Sequence, residues 1–412
     1  MTTNSEDHNP LGLRRNVWVM TITSFLTDVS SEMLFNLVPL FLSQVLGART
    51  SLIGLIEGLA ETTASLLKLG SGWLSDRLGK RKALAVAGYG LSTLAKPFLL
   101  LANAWGWVLG VRFADRVGKG IRTSPRDALL SESVGKDRRG LAFGLHRAGD
   151  TAGAVLGILI ALLVVTQMQG QDTTLERSTF NTIVWFSAIP AVLAVLVLAL
   201  GAREIPPTSE NAKPKLDAAG SLSRRFKLFM ALIVVFTLGN SSDAFLVLRA
   251  SDLGLSVAGV LGMLVIFNIT YALISTPAGA LSDRIGRRGL LIGGWIFYAV
   301  VYGGFALAAQ RWQVAVLMGA YGIYYGLTEG VAKAFVADLV PSEKRGTAYG
   351  IYNAAVGVAA FPASLIAGLL WQGAGGWNGF GAWAPFTFGA ALALLAATGM
   401  TVLIKTERPS AS

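Results

Sequence analysis

The sequence predicts an all-α membrane protein of twelve transmembrane helices in two pseudo-symmetric six-helix bundles. Three observations carry that expectation. The 412 residues are 53% hydrophobic and 14% charged, with mean hydropathy +0.56, a balance outside that of soluble domains. Apolar runs of roughly 20 residues, long enough to cross a bilayer, recur between short polar segments. Three patterns also occur twice at near-constant offsets, the mark of a duplicated unit.

The twelve runs span roughly 16–42, 51–74, 83–102, 104–124, 140–166, 179–201, 227–248, 256–280, 288–309, 312–334, 346–371 and 383–404. The net charge of +11 and pI near 9.9 would suggest nucleic acid in a soluble protein, but the positions of the basic residues exclude that reading. With a cytoplasmic N-terminus, Arg14, Arg15, Lys80, Arg81, Lys82, Arg138, Arg139, Arg224, Arg225, Arg287, Arg288, Lys344 and Arg345 all fall inside. Outer loops keep little beyond Arg49, Arg177, Arg249 and Arg311. This positive-inside asymmetry and an even helix count place both termini in the cytoplasm, in a bacterial-type inner membrane. Met1 to Asn9 is polar and acidic and has no look of a cleavable signal. The absence of cysteine excludes disulfides and thiolate metal sites, and neither a cofactor nor a metal is expected.

The repeats define the halves. Gly72-Trp-Leu-Ser-Asp76-Arg77-Leu-Gly79-Lys80-Arg81 returns 207 residues later as Gly279-Ala-Leu-Ser-Asp283-Arg284-Ile-Gly286-Arg287-Arg288. Arg139-Gly140-Leu-Ala-Phe-Gly144 returns at an offset of 206 as Arg345-Gly346-Thr-Ala-Tyr-Gly350. Ser30-Ser31-Glu32 returns at an offset of 211 as Ser241-Ser242-Asp243. Prolines, serines and charges without a long apolar run make 202–226 a cytoplasmic linker between bundles 1–201 and 227–412.

These residues resemble the major facilitator superfamily, whose signature G-x-L-x-D-R-x-G-R/K-R/K lies between the second and third helices. Both copies fit it. The resemblance implies a monomeric carrier of a small molecule, working by alternating access, with Asp76 and Asp283 in a cytoplasmic latch. By repeat geometry, Asp76 faces the positive helix start near Gly346 and Asp283 the one near Gly140, contacts worth about 0.3–2 kcal/mol each. Arg77 and Arg284 either join the latch or set topology. Gly140, Gly149, Gly153 and Gly157 resemble the antiporter motif of drug/proton exchangers. The chain departs from it at Ala154, where that motif has proline, and at Ile158, where it has glycine. The match implies proton-coupled efflux, and simple helix packing is the other reading of these glycines.

Charges inside the bilayer are costly and point to function. Asp28 and Glu32 are four apart on the first helix; Glu57, Glu61 and Lys68 lie along the second; Lys96 is near the middle of the third. Arg112, Asp115, Arg116 and Lys119 follow i, i+3, i+4, i+7 on the fourth, one polar stripe, and His146, Arg147 and Asp150 cluster on the fifth. Arg112 resembles the family's fourth-helix arginine, although Asp115 and Arg116 replace the usual glutamine and glycine. Asp28, Glu32 or Glu61 is the expected proton carrier, with a permanent structural ion pair as the alternative. His146 either titrates or only hydrogen-bonds.

The second half offers Asn240, Asp243, Asn268, Tyr321, Tyr325, Glu329 and Lys333. Tyr321 occupies the repeat position of Asp115. Coupling charge is therefore expected in the first half and an aromatic wall for an organic solute in the second, with interfacial tyrosine belts as the alternative. A carrier of an organic anion, held by Arg112, Arg116, Lys119, Arg122, Arg126 and Arg147, is the competing reading. The sequence contains no HExxH and no GxSxG, so an enzyme is not expected.

Overall fold

The computed structural model describes residues 15–135, 138–205, 222–341 and 344–404, and among these it is helical with no strand. Twelve long helices run in order: α1 (Arg15–Phe35), α2 (Thr50–Leu78), α3 (Arg81–Ala95), α4 (Trp105–Glu132), α5 (Arg139–Gln169), α6 (Arg177–Gly201), α7 (Arg224–Gly239), α8 (Val257–Ile285), α9 (Arg287–Leu307), α10 (Arg311–Asp338), α11 (Arg345–Gln372) and α12 (Ala384–Leu403). Nine of the described segments are long and apolar enough to cross a membrane by composition alone; α2, α4 and α10 are not among them. Those three carry Glu61, the α4 cations and the Glu329–Lys333 pair, the polar residues expected to face the protein interior.

The membrane-facing surface is visible in α6. Trp185, Ile189, Leu193, Leu196 and Leu200 recur at helical spacing and are all exposed. Such a stripe is unfavourable in water and neutral in lipid.

By contact the chain divides into two compact units, Met1–Ala48 with Leu59–Pro214 and Ser256–Leu261, and Arg49–Gly58 with Lys215–Leu255 and Gly262–Ser412. The packing inside unit 1 joins α1 to α5 and α6, and α3 to α4 and α6. Unit 2 repeats the scheme, with α7 joined to α11 and α12, and α9 to α10 and α12. The duplication read from three motifs is therefore also a duplication of neighbours.

Two expectations change. The first span is not one helix: α1 ends at Phe35, and a short helix Val38–Leu40 and a π-helical segment Phe41–Val45 follow. Pro39 has no N–H to donate, and Asn36 turns its amide back to the Glu32 carbonyl at 2.8 Å. The seventh span is likewise broken between α7 and the short helix Ala244–Asp252, at Asn240–Asp243. Arg249, expected in an outer loop, is buried on that short helix, donating to the carbonyls of Phe305 and Ala308 (3.1 and 2.7 Å) and pairing with Asp252 at 2.7 Å. Arg177 does the corresponding service in unit 1, donating to Ala102 O at 2.7 Å. Each satisfies carbonyls orphaned where the third helix of its unit ends.

The repeated signature folds alike in both units. Gly79 and Gly286 take φ of +62° and +89°, and their N–H groups close on Ser75 O and Ser282 O at 2.9 and 3.1 Å. The basic residues that follow tie the loop to the end of the fourth helix of each unit. Arg81 pairs with Glu132, both side chains buried, whereas Arg287 pairs with the more exposed Asp338 and with Asp283 at 3.3 Å. Burial separates their effects. Glu132→Gln takes the carboxylate from a buried arginine and should cost about 3 kcal/mol, while Asp338→Asn should cost under about 1 kcal/mol. Unfolding midpoints of the two purified variants measure the contrast.

Candidate functional site

Unit 1 gathers charge around α1 and α4. On α4, Arg112, Asp115 and Arg116 are buried and Lys119 is half-buried, with Arg122 buried further along the helix. Arg116 Nη1 lies 3.1 Å from Glu61 Oε1 on α2, and its Nε is 3.9 Å from Asp115 Oδ2. Arg122 donates to Ser92 Oγ at 2.9 Å and lies over the Tyr89 ring; Ser92 Oγ in turn donates to Asp115 O at 3.0 Å. Close packing holds α3 and α4 in this register, since a Cβ on Gly118 would stand 2.5 Å from Gly88 O. Further along α4, Arg126 pairs with Asp127 and donates to Ser24 Oγ at 3.1 Å.

Lys96, only 1% exposed, reaches α1 and donates to Ser30 Oγ and Ser31 Oγ at 2.6 and 3.0 Å. Its ammonium and the guanidinium groups of Arg112 and Arg116 lie 5.5, 4.5 and 5.9 Å from the centre of the Phe35 ring. Three cations thus share one aromatic ring. Glu32 accepts from Asn36 Nδ2 at 3.0 Å. Asp28 is half-buried, with Glu32 beside it, Asp150 from α5, and Lys119 and Arg122 from α4 as its charged neighbours. His146 is buried, 3.9 Å from Asp150, and Arg147 beside it is exposed.

The α5 glycines pack α5 onto α1. A Cβ on Gly149 would lie 2.8 Å from the Thr21 side chain, one on Gly153 would collide with the Phe25 carbonyl, and one on Gly157 with that of Val29. Both helices are met at every fourth residue, so these glycines set the approach of Asp150 to Asp28. Gly140 has open space around it.

Unit 2 places aromatic rings where unit 1 places charge. Tyr321, at the repeat position of Asp115, donates to Asp243 Oδ1 at 2.9 Å; Tyr298 donates to Gly239 O at 3.0 Å and to Asn240 Oδ1 at 3.3 Å. Tyr325 meets Phe267, Tyr271, Tyr321 and Tyr324 edge to face. Tyr271 donates to Glu329 Oε2 at 2.5 Å, and Lys333 pairs with Glu329 at 3.1 Å. Asn268 spends its amide on Leu264 O of its own helix. Tyr298, Tyr321 and Tyr324 are buried, and Tyr271 and Tyr325 are half-buried.

In the signature, Arg77 lies over Trp73, Ser75 bonds Gly72 O and Ser282 bonds Gly279 O at 3.0 and 2.7 Å, and Asp283 and Arg284 are exposed. The side chains of Asp76 and Arg139 lie outside the described residues, as do Met1 to Asn9 and most of the linker. Phe35, Tyr298 and Tyr302 escaped sequence reading. An aromatic inside an apolar run carries no signal of its own, though Tyr298 and Tyr302 are four apart, one helical turn.

A sheath of apolar helices around buried charge in one unit and buried tyrosines in its repeat defines a polytopic secondary carrier, not an enzyme. The sequence profile of the Major Facilitator Superfamily matches residues 20–260 and again 228–412, and the chain belongs to that family. It is 38% identical over 372 residues to an uncharacterized MFS-type transporter of Methanocaldococcus jannaschii, covering 89% of this chain and 91% of that one. It is 24% identical over 320 residues to the multidrug resistance protein MdtG of Citrobacter koseri, with 75% and 76% covered. Among solved structures it superposes on a nucleoside transporter, NupG, with TM-score 0.80 at 13% identity over 95% of this chain and 100% of that one. A D-xylose-proton symporter gives TM-score 0.74 at 17% identity over 95% and 98%. At such identity the two structures share the fold with this chain.

Proposed function

We propose that the chain is a proton-coupled carrier that exports a small organic solute across a bacterial-type inner membrane by alternating access. It acts as a monomer, with both termini cytoplasmic and 202–226 linking bundles 1–201 and 227–412. The observation that carries this reading is the ionisable cluster of α1, α2 and α4, in which Arg112, Asp115 and Arg116 are buried beside half-buried Asp28, Glu32 and Glu61, on segments where charge without a task is selected against. Asp28, Glu32 and Glu61 are its proton-carrying candidates, and Arg112 and Arg116 the cations whose pairing changes between states. Asp243, Asn240, Tyr321 and Tyr325 offer an organic body aromatic surface with polar handles. Export is supported by the antiporter-like glycines of α5 and by the likeness to a multidrug resistance protein.

Proteoliposomes test it. With an imposed pH step and a panel of cationic, neutral and anionic solutes, at least one should move faster with the gradient than without, and a protonophore should remove the difference. Solute movement indifferent to the gradient across the panel would refute the coupling.

A further inference from the structure

Lys96 lies in Arg81–Leu101, a segment long and apolar enough to cross a membrane, and is 1% exposed. Its side-chain nitrogen is held by two hydroxyls of α1, Ser30 Oγ at 2.6 Å and Ser31 Oγ at 3.0 Å, and by the Phe35 ring. No carboxylate forms an ion pair with it among the described residues. The charged groups facing it stand further off: Asp28 on α1, and Asp115, Arg116 and Arg122 on α4, with Arg112 at the same ring. Asp28 in turn has Glu32 on its own helix, Lys119 and Arg122 on α4, and Asp150 on α5 as charged neighbours. The remaining neighbour, α6, has no charged residue after Arg177. A buried ammonium is ordinarily paired with an anion, because its desolvation costs several kcal/mol.

The fold does not require a lysine here. Unit 2 repeats the hydroxyl pair as Ser241 and Ser242, yet the residue 207 positions beyond Lys96 is Gly303, where an added Cβ would meet nothing within 4 Å. The three cations at Phe35 also differ in one respect. Arg112 and Arg116, both of which have partners, keep their charge at any accessible pH, while an amine can release its proton. Hydroxyls suit both forms of that amine: they accept from the ammonium and donate to the neutral nitrogen. Lys96 can therefore change charge without losing a hydrogen bond.

We propose that Lys96 is the internal proton-exchange partner of Asp28. Ser30 and Ser31 seat its nitrogen two and three residues beyond Asp28 on the same helix. When α1 and α3 shift so that the two groups meet, the proton passes from Lys96 Nζ to Asp28, and ammonium and carboxylate become amine and carboxylic acid. The reverse transfer restores them. The pair has zero net charge in both forms, so the exchange creates no buried charge. This assignment deepens the carrier reading and rests on its proton coupling.

Full-length variants in proteoliposomes test it, read with trapped pyranine for protons and the labelled solute that the panel identifies. Lys96→Arg fixes the charge and Lys96→Gln removes it, and both keep a donor for the serines. Each should lose the roughly tenfold accumulation that a one-unit pH step can sustain, while counterflow at equal pH stays within about threefold of native. A lysine that only tied α3 to α1 would give another order, with Lys96→Arg near native and Lys96→Gln impaired in counterflow too. That order, or full pH-driven accumulation by either variant, would overturn the assignment. Ser30→Ala combined with Ser31→Ala keeps the lysine and removes the donors its neutral form needs, so it decides the matter if neither Lys96 variant elutes as a monodisperse protein. It should slow pH-driven accumulation about fivefold with counterflow near native, and an unchanged rate would contradict the proposal. Native protein whose solute flux ignores the gradient would sink the coupling reading and this assignment together, whereas native coupling that survives in the variants would sink this assignment alone.

Discussion

Asp28→Asn should abolish uphill transport while leaving downhill exchange of solute across the membrane intact. Asp28 stands at mid-helix on α1 among two carboxylates, Glu32 and Asp150, and two cations, Lys119 and Arg122. No hydrogen bond to its carboxylate is found among the described residues, so protonation breaks no local contact there. Its charged neighbours come from both α4 and α5, so any rearrangement of those helices changes the field at its oxygens. An amide keeps the shape and cannot exchange a proton. For one proton per solute, a pH step of one unit sustains at most about a tenfold solute gradient, and all of that should be lost. Accumulation assays with and without the pH step, alongside counterflow at equal pH, separate coupling from translocation. Full pH-driven accumulation by Asp28→Asn would move the proton site to Glu32 or Glu61, whose amide variants are the next to measure.

Gly157→Leu should unfold unit 1 or drive it to aggregation. A Cβ at this position collides with the Val29 carbonyl, a backbone atom that α1 cannot move without giving up its own helical geometry. Gly153 makes the same approach to Phe25, so relief at one contact is opposed at the other. Overpacking of this kind costs about 3 kcal/mol or more, a factor of about a hundred in the folded fraction. Gly140→Leu is the matched control, because a Cβ there meets no described atom within 4 Å. Fluorescence-detected elution after heating should show early loss of the Gly157 variant and near-native behaviour of the Gly140 variant. Equal midpoints would mean that α1 and α5 are not in the close register described.

Much of the architecture was legible because bilayer and backbone impose simple rules. A span needs a fixed length of apolar chain, and a duplicated unit repeats its turn chemistry, so the Gly79 and Gly286 turns and the twelve segments follow from pattern. Helix ends were harder to read. Sequence reading ends the fourth span near 124, yet α4 runs on to Glu132, because Arg126, Asp127 and Glu132 find partners inside unit 1 and look like loop residues to a hydropathy sum. The breaks after Phe35 and Gly239 were missed as well, since Asn36 and Asn240 stop a helix through local bonds that composition does not report.

At the candidate site, spacing placed Arg112, Asp115 and Arg116 on one face but not their partners. That Glu61 meets Arg116, that Lys96 crosses to the serines of α1, and that Phe35 lies under three cations depend on packing between helices far apart in sequence.

The most direct measurement of the coupling reads proton and solute movement together, in proteoliposomes carrying a pH-sensitive dye and a labelled solute found by the panel. Export coupled to protons predicts that solute loaded inside and released downhill draws protons inward in fixed ratio, and that Asp28→Asn releases solute with no change in internal pH. Solute leaving the native protein at full rate while the dye records nothing would contradict it.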